Sequence, residues 1–272
     1  MSERPRVNAP TAEEIQRRFG HPLVHVARPI ILGGIGVLGA VRRFKWTAEG
    51  VEKVLEHDRP LIFASNHCSH ADTAAILGTL PFLIRRRTCV AAALDVFGPA
   101  QYVPRKTWRY FKRECLQIIV AAGFHAFAFD RQGPPLRSLR TALELSRNDW
   151  SLLLYPEGTR SRSGKMAPFK PGIGVLAKMT GRPVIPVHVT GGRSILPCGR
   201  FMPQPGHAMV RYGDALWHRR GESPEEFTAR LERRVRALAP AGEAVADAAA
   251  IKTEPSLATA AGGSADAPKR AP

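Results

Sequence analysis

Residues Ser65–Asp72 read Ser-Asn-His-Cys-Ser-His-Ala-Asp, and they directly follow the apolar run Leu61–Ala64. A short apolar run that ends in small polar residues predicts a buried strand followed by a loop. Ser69 stands three residues before Asp72, and this Ser-x-x-Asp spacing is typical of a helix N-terminus. The stretch therefore predicts a strand, a tight loop and a helix start, with Ser69 near the N-cap and Asp72 in the first turn.

His67 and Asp72 are the first pair of candidate catalytic residues. On one continuous helix, side chains five positions apart would lie roughly 140° apart around the axis and would not meet. They can meet if His67 lies in the loop and the helix starts after it. Histidine takes up a proton near neutral pH, so we expect His67 to be a general base that Asp72 orients. The alternative is that Asp72 only caps the helix and His67 is an ordinary loop residue.

Apolar runs alternate with helical patterns along most of the chain. Strands are predicted at Leu61–Ser65, Cys89–Ala93, Ala126–Phe129, Leu152–Tyr155, Val184–Val189 and Ala208–Tyr212. Helices are predicted at Asp72–Leu80, Lys106–Ala122, Leu136–Arg147, Gly172–Thr180 and Ser223–Leu238. This alternation predicts a single α/β domain with a mostly parallel sheet flanked by helices. In such sheets the chemistry gathers at the carboxyl ends of the strands.

A second motif, Tyr155–Ser161, reads Tyr-Pro-Glu-Gly-Thr-Arg-Ser and also follows an apolar strand. Together with Asn66-His67-x4-Asp72 it resembles the two signature motifs of the glycerolipid acyltransferases, and specifically those of the 1-acylglycerol-3-phosphate (lysophosphatidate) acyltransferases. Two weaker blocks, Phe127–Arg131 and Val184–Val187, stand in the order of that family. The resemblance runs from residue 59 to residue 216.

The resemblance implies an O-acyltransferase of phospholipid biosynthesis. It would move a fatty acyl chain from an acyl thioester, either acyl-CoA or acyl carrier protein, to the hydroxyl of a lysophospholipid. The acceptor implied is 1-acylglycerol-3-phosphate, which gives phosphatidate, and another lipid acceptor is the alternative. His67 would take the proton of the acceptor hydroxyl, and Asp72 would hold the imidazole tautomer. No cofactor beyond the thioester co-substrate is expected.

The resemblance also implies a set of substrate-binding residues. They are Arg131, Glu157, Gly158, Thr159 and Arg160. Arg131 and Arg160 suit a phosphate group, which a guanidinium engages in a planar, charge-assisted fork. A surface ion pair is the alternative for Arg131. We expect Glu157 to position backbone or an arginine, and Gly158 to form a tight turn whose backbone amides are candidates for the oxyanion donor.

One position departs from the family pattern. The family often carries a lysine, thought to help hold the acceptor phosphate, where this chain has Ala92. The basic residues between Arg105 and Arg113 are candidates to replace it. The departure leaves the identity of the acceptor open.

The chain is strongly basic, with 40 Lys and Arg against 23 Asp and Glu in 272 residues and a net charge of +17. Such a balance predicts an anionic partner, either nucleic acid or an anionic membrane surface. No zinc-finger, recognition-helix or RNA-binding motif accompanies the charge. We therefore expect a membrane surface and no nucleic acid. A basic nucleic-acid-binding protein would leave both motifs unexplained, and a hydrolase that activates water with His67 and Asp72 is a further alternative.

The four cysteines form no Cys-x-x-Cys pair, so the sequence supports neither a metal site nor a disulfide framework. Cys68, inside the first motif, lacks the surroundings of a catalytic cysteine.

Three parts are predicted along the chain. Residues 1–45 form an N-terminal segment whose apolar run, Pro29–Val41, has only 13 residues, and about 20 are needed to span a bilayer. With arginines on both flanks, this run is expected to lie in the membrane interface on the cytoplasmic face; a core helix is the alternative. Residues 46–238 form the acyltransferase domain. Residues 239–272, rich in Ala, Gly, Pro and Ser, are expected to be disordered.

Overall fold

The computed structural model describes residues 11–57, 60–93, 119–129, 135–161, 163–197, 199–200 and 202–241. The strands are β1 (Phe44–Glu49), β2 (Ile62–Ser65), β3 (Thr88–Ala93), β4 (Ala126–Phe129), β5 (Ser151–Leu154), β6 (Val184–Thr190) and β7 (Gly206–Tyr212). The α-helices are α1 (Ala12–Phe19), α2 (Pro22–Arg42), α3 (Val51–Leu55), α4 (His70–Thr79), α5 (Phe82–Arg85), α6 (Pro135–Arg147), α7 (Gly172–Thr180), α8 (Gly192–Ile195) and α9 (Pro224–Ala237).

Within these residues the strands form one sheet in the order β1-β7-β6-β2-β5-β3-β4. β2 lies at its centre and pairs in parallel with both β5 and β6. β3 pairs in parallel with β5 and β4, whereas β7 is antiparallel to β6 and carries β1 at the edge. The prediction of a mostly parallel α/β sheet flanked by helices is confirmed. The carboxyl ends of β2, β5 and β6 therefore lie side by side at one edge.

The central strands are buried on both faces, because helices cover both sides of the sheet. Ile62 and Leu152 pack on one face with apolar residues of α1, α6, α7 and α9. Phe63 and Leu153 point to the opposite face, where α3, α4 and α5 contribute the apolar partners. Successive side chains of a strand alternate between faces, so a strand covered on both sides needs a continuous apolar run. This requirement explains why β2 and β5 were recognisable from their sequence.

β1 was missing from the predicted strands. α2 ends at Arg42, its C-cap Arg43 adopts a left-handed conformation (φ 56°) usually taken by glycine, and β1 starts at the next residue. Because no glycine or proline marks this turn, the helix-to-strand change left no local signal. β1 begins inside the segment 1–45 that was predicted to precede the domain.

The N-terminal helices pack against the sheet domain. Ile15 and Phe19 of α1 are buried in the same core cluster as residues of α6 and β5. The run Pro29–Val41 is part of the longer helix α2, the one described helix whose length and apolar composition would allow it to cross a membrane. Arg28 of α2 is buried, and its guanidinium donates to the backbone carbonyls of Arg85 (2.7 Å), Arg86 (2.9 Å) and Gly123 (3.2 Å). These bonds hold α2 on the domain.

Three segments named in the sequence analysis lie partly or wholly outside the described residues. Of the helix predicted at Lys106–Ala122 only the end is described, and residues 119–123 form a π-helical turn rather than an α-helix. Arg105–Arg113 fall outside the described residues. So does the predicted tail from residue 242 onward.

Candidate active site

The loop between β2 and α4 carries the first motif. Ser69 is the N-cap of α4, and its Oγ accepts a hydrogen bond from the backbone N–H of Ala71 (3.1 Å). Asp72 lies in the first turn, where its Oδ2 accepts from the backbone N–H groups of Cys68 and Ser69, each at 2.7 Å. The predicted strand, loop and capped helix are confirmed. Asp72 therefore caps the helix, and it makes a further contact with a side chain outside the helix.

The same carboxylate oxygen also contacts His67. The distance from His67 Nδ1 to Asp72 Oδ2 is 3.2 Å, and the side chains are only 8% and 2% exposed. The bond favours a proton on Nδ1, which leaves Nε2 as the atom that can accept another proton. The two residues meet because His67 precedes the helix. The arrangement is that of a histidine base with an orienting carboxylate.

Glu157 ties the second motif to the first. Its Oε1 accepts from the backbone N–H of His67 (2.7 Å), and its Oε2 accepts from that of Ala167 (2.8 Å). In addition, the N–H of Ser161 donates to the carbonyl of His67 (2.8 Å). Burial raises the pKa of Glu157 to about 7, against the two backbone hydrogen bonds that lower it. These contacts hold the backbone of His67 and Ala167 in position, which is one of the two tasks predicted for Glu157.

The rest of the second motif lies at the surface of the protein. Gly158 has φ +78°, a conformation that L side chains rarely adopt, and Thr159 and Arg160 are exposed. A Cβ at position 158 would lie 2.8 Å from the Nζ of Lys170, so this ammonium lies across the turn. The sequence prediction did not include Lys170, which has no marked pattern around it. Arg131 lies outside the described residues.

His70, inside the first motif, lies beside His67. Its ring centroid is 6.5 Å from that of His67, in an edge-on arrangement. Burial lowers the pKa of His70 to about 4, with a further contribution from the positive charge of Arg160 and a smaller one from His67. His70 is therefore neutral at physiological pH, and the charge of Arg160 acts close to the His67–Asp72 pair.

The end of β6 and the start of α8 pack against the first motif. The side-chain amide of Asn66 exchanges two hydrogen bonds with the backbone of Val189, at 2.8 and 3.0 Å. Gly192, the first residue of α8, packs against Asp72 so closely that an added Cβ would overlap Asp72 Oδ1. This buried oxygen has no hydrogen-bond partner among the described residues. Sequence reasoning missed Gly192, because Gly191-Gly192 looks like an ordinary turn.

The described residues contain no group of three or more His, Cys, Asp or Glu side chains that would hold a metal ion.

The chain is similar in sequence to known acyltransferases. A family model described as Acyltransferase matches residues 45–190. A 1-acyl-sn-glycerol-3-phosphate acyltransferase of Limnanthes douglasii is 34% identical over 131 residues, which is 45% of this chain and 46% of the relative. One of Pseudomonas aeruginosa is 28% identical over 205 residues, 72% of this chain and 68% of the relative. The chain spans about half the length of the plant relatives that it matches, or less.

The fold comparison points the same way. The crystal structure of the 1-acyl-sn-glycerophosphate acyltransferase PlsC from Thermotoga maritima superposes with a TM-score of 0.57 over 90% of this chain and 89% of that one, at 24% identity. This likeness supports the fold. The family match covers more than half of the 272 residues and includes both motifs, so the chain belongs to the acyltransferase family.

Proposed function

We propose that the chain is an O-acyltransferase that acts on a lysophospholipid. The reaction transfers a fatty acyl group from an acyl thioester to the free hydroxyl of 1-acylglycerol-3-phosphate and gives phosphatidate. The observation that carries the proposal is the buried His67–Asp72 pair at the carboxyl edge of the sheet, with a nitrogen left to accept a proton. The names of the relatives support the same acceptor. The donor is proposed as acyl-CoA or acyl carrier protein.

The mechanism follows from the site. His67 Nε2 takes the proton of the acceptor hydroxyl as its oxygen attacks the thioester carbonyl. The tetrahedral intermediate collapses, the carbon–sulfur bond breaks, and the departing thiolate takes the proton back from the imidazolium. Asp72 stabilises this imidazolium through the bond to Nδ1. The acceptor itself is the nucleophile, so the protein needs none, and general-base help is worth about 10² to 10⁴ in rate.

The acceptor phosphate is proposed to bind at the surface formed by the second motif. Arg160 is exposed there and carries its charge close to His70, and the ammonium of Lys170 lies across the adjacent Gly158 turn. A guanidinium engages two phosphate oxygens at once, and an ammonium adds a point charge. Two cations at this surface offset the absence of a lysine at Ala92. Thr159 and Arg131 are proposed to complete the phosphate site.

We propose that the enzyme acts at the cytoplasmic face of an anionic membrane. α2 exposes Leu23, Ile30 and Val41, and α5 exposes Phe82 and Leu83, at 64% and 67% of their surfaces. Exposed apolar side chains on one helix beside basic residues are typical of segments that enter a membrane interface. Each Lys or Arg near such a surface contributes about 1 kcal/mol, and the net charge is +17.

One experiment tests the reaction. Purified protein is incubated with acyl-CoA or acyl carrier protein thioesters and a panel of lysolipids, and the products are identified by mass spectrometry. We expect phosphatidate from lysophosphatidate, and a loss of about 10² to 10⁴ in rate for His67→Ala. His70→Ala is the matched control, since His70 neighbours the same pair without contacting Asp72 in the way that His67 does, and its loss should be much smaller. Equal losses in two folded variants would contradict the assignment of the base, and free fatty acid as the main product would indicate a hydrolase.

A further inference from the structure

Tyr155, the first residue of the second motif, stacks on the imidazole of His67. The two ring centroids are 3.8 Å apart and the ring planes differ by 17°. This is a face-to-face contact, whereas the ring of His70 meets His67 edge-on at 6.5 Å. Tyr155 follows β5 directly, so the rigid centre of the sheet places its ring.

The phenol of Tyr155 is anchored on the helix that carries Asp72. Its hydroxyl and the Oγ1 of Thr73 are 2.6 Å apart, and Thr73 is the residue after Asp72 in the first turn of α4. Burial raises the pKa of Tyr155 far above its ordinary value, so the hydroxyl keeps its proton and the bond. One turn of α4 therefore holds both the in-plane partner of His67 and the ring that covers its face.

The bond to Asp72 alone does not fix His67. A single hydrogen bond at Nδ1 restrains one atom in the ring plane and leaves the imidazole free to rotate about it, which would redirect Nε2. A ring stacked on one face removes that rotation, because the planes would have to separate. The electron-rich face of a phenol also favours the positive charge that the imidazole gains when it takes up a proton.

We infer that Tyr155 is a positioning residue for the acyl-transfer reaction, one that sets the plane of the His67 imidazole and favours its protonated form. The inference rests on the proposed function of His67 as the general base. Because Tyr155 acts through His67, its effect belongs in kcat and in the pH dependence of the reaction, and the KM values should stay constant.

The pH profile of the reaction depends on the side chains that surround His67. Asp72 and His70 face it from the first turn of α4, and Glu157 and Arg160 come from the loop after β5. Cys68 is its neighbour in the chain. Substitutions at Tyr155 leave all five in place, so a shift of the acid limb of kcat/KM traces to the lost ring. Loss of the aromatic face should move that limb to lower pH.

The test uses the full chain with three single variants and one double variant. Tyr155→Leu removes the ring and should lower kcat by about tenfold to a hundredfold, with both KM values within about twofold of wild type. Tyr155→Phe and Thr73→Val keep the ring but remove its anchor, and each should lower kcat by a smaller factor of about two to five. The double variant Thr73→Val with Tyr155→Phe should be no worse than either single one, because both remove the same bond.

Tyr212→Phe is the matched control. Tyr212 forms a similar hydrogen bond to Thr79 of the same helix, at 2.8 Å, but its ring neighbour is Phe63 rather than His67. Its kcat and pH profile should stay at wild-type values even if its melting temperature falls.

Two results would overturn the inference. One is a folded Tyr155→Leu with wild-type kcat and an unmoved pH profile. If that variant does not fold, Tyr155→Phe and Thr73→Val provide the second result. A wild-type kcat and a wild-type pH profile in both of them would overturn the inference. Wild-type protein that makes no acylated lipid from any thioester would instead refute the proposed function, so the two failures are distinguishable.

Discussion

Gly192→Ala tests whether the tight packing behind Asp72 is needed for catalysis. The added Cβ would overlap Asp72 Oδ1 and lie 3.2 Å from Asp72 Cγ and 3.6 Å from Ser69 Cβ. Ordinary contacts need about 3.5 Å or more, so the carboxylate has to move by on the order of 1 Å. Such a shift breaks or lengthens the bonds of Oδ2 to His67, Cys68 and Ser69. A displacement of about 1 Å at a catalytic group costs about 10²-fold in rate.

The stability cost of the same change should be modest. Overpacking of a buried site costs about 1 to 3 kcal/mol, and α8 is short enough to yield in part. Gly172→Ala is the matched control, because Gly172 is also the first residue of a helix and an added Cβ there would meet only Leu139 Cδ2 at 3.8 Å. Steady-state kinetics and urea unfolding of both variants measure the two effects. A folded Gly192→Ala enzyme with wild-type kcat would refute the view that the position of Asp72 depends on this contact.

Three further predictions follow from other groups. Arg160→Lys should raise the KM for lysophosphatidate and leave that of the thioester unchanged, because an ammonium does not reproduce the bidentate fork; a rise confined to the thioester KM would assign the arginine to the donor instead. Burial lowers the pKa of His188 to about 4, and the charges of Arg211 and Arg236 lower it further. Between pH 4 and 6.5 this histidine is therefore protonated more in the unfolded chain than in the folded one, so the free energy of unfolding rises with pH. His188→Gln should reduce this rise of the unfolding free energy with pH by up to about 1.4 kcal/mol per pH unit, as measured by urea unfolding, whereas the exposed control His207→Gln should not. The same pH dependence of the unfolding free energy in both variants would contradict this prediction. Arg28→Met should lower the unfolding free energy by at least about 2 kcal/mol, because it leaves buried backbone carbonyls without their hydrogen-bond donor. A change within about 0.5 kcal/mol would contradict this prediction.

The first motif was predictable from the sequence because its structure is local. The apolar run Leu61–Ala64 requires a strand buried on both faces, and Ser69 and Asp72 satisfy the free N–H groups at the start of α4 within three residues. Interactions over such short separations are set by residue type and spacing alone. The meeting of His67 with Asp72 followed from the same reasoning.

The other half of the site depended on tertiary structure. Tyr155 and Glu157 reach His67 from about ninety residues away, and Gly192 reaches Asp72 from still further, because the order of strands places β5 and β6 on either side of β2. An apolar pattern tells which face of a strand is buried but not which strand lies beside it. β1 was missed because no glycine or proline marks the turn before it, and the burial of Arg28 was missed because the carbonyls that it binds come from distant parts of the chain. The sequence by itself indicated His67 and Asp72 as the candidates for the chemistry, and only the packing of the sheet decided which side chains hold them in place.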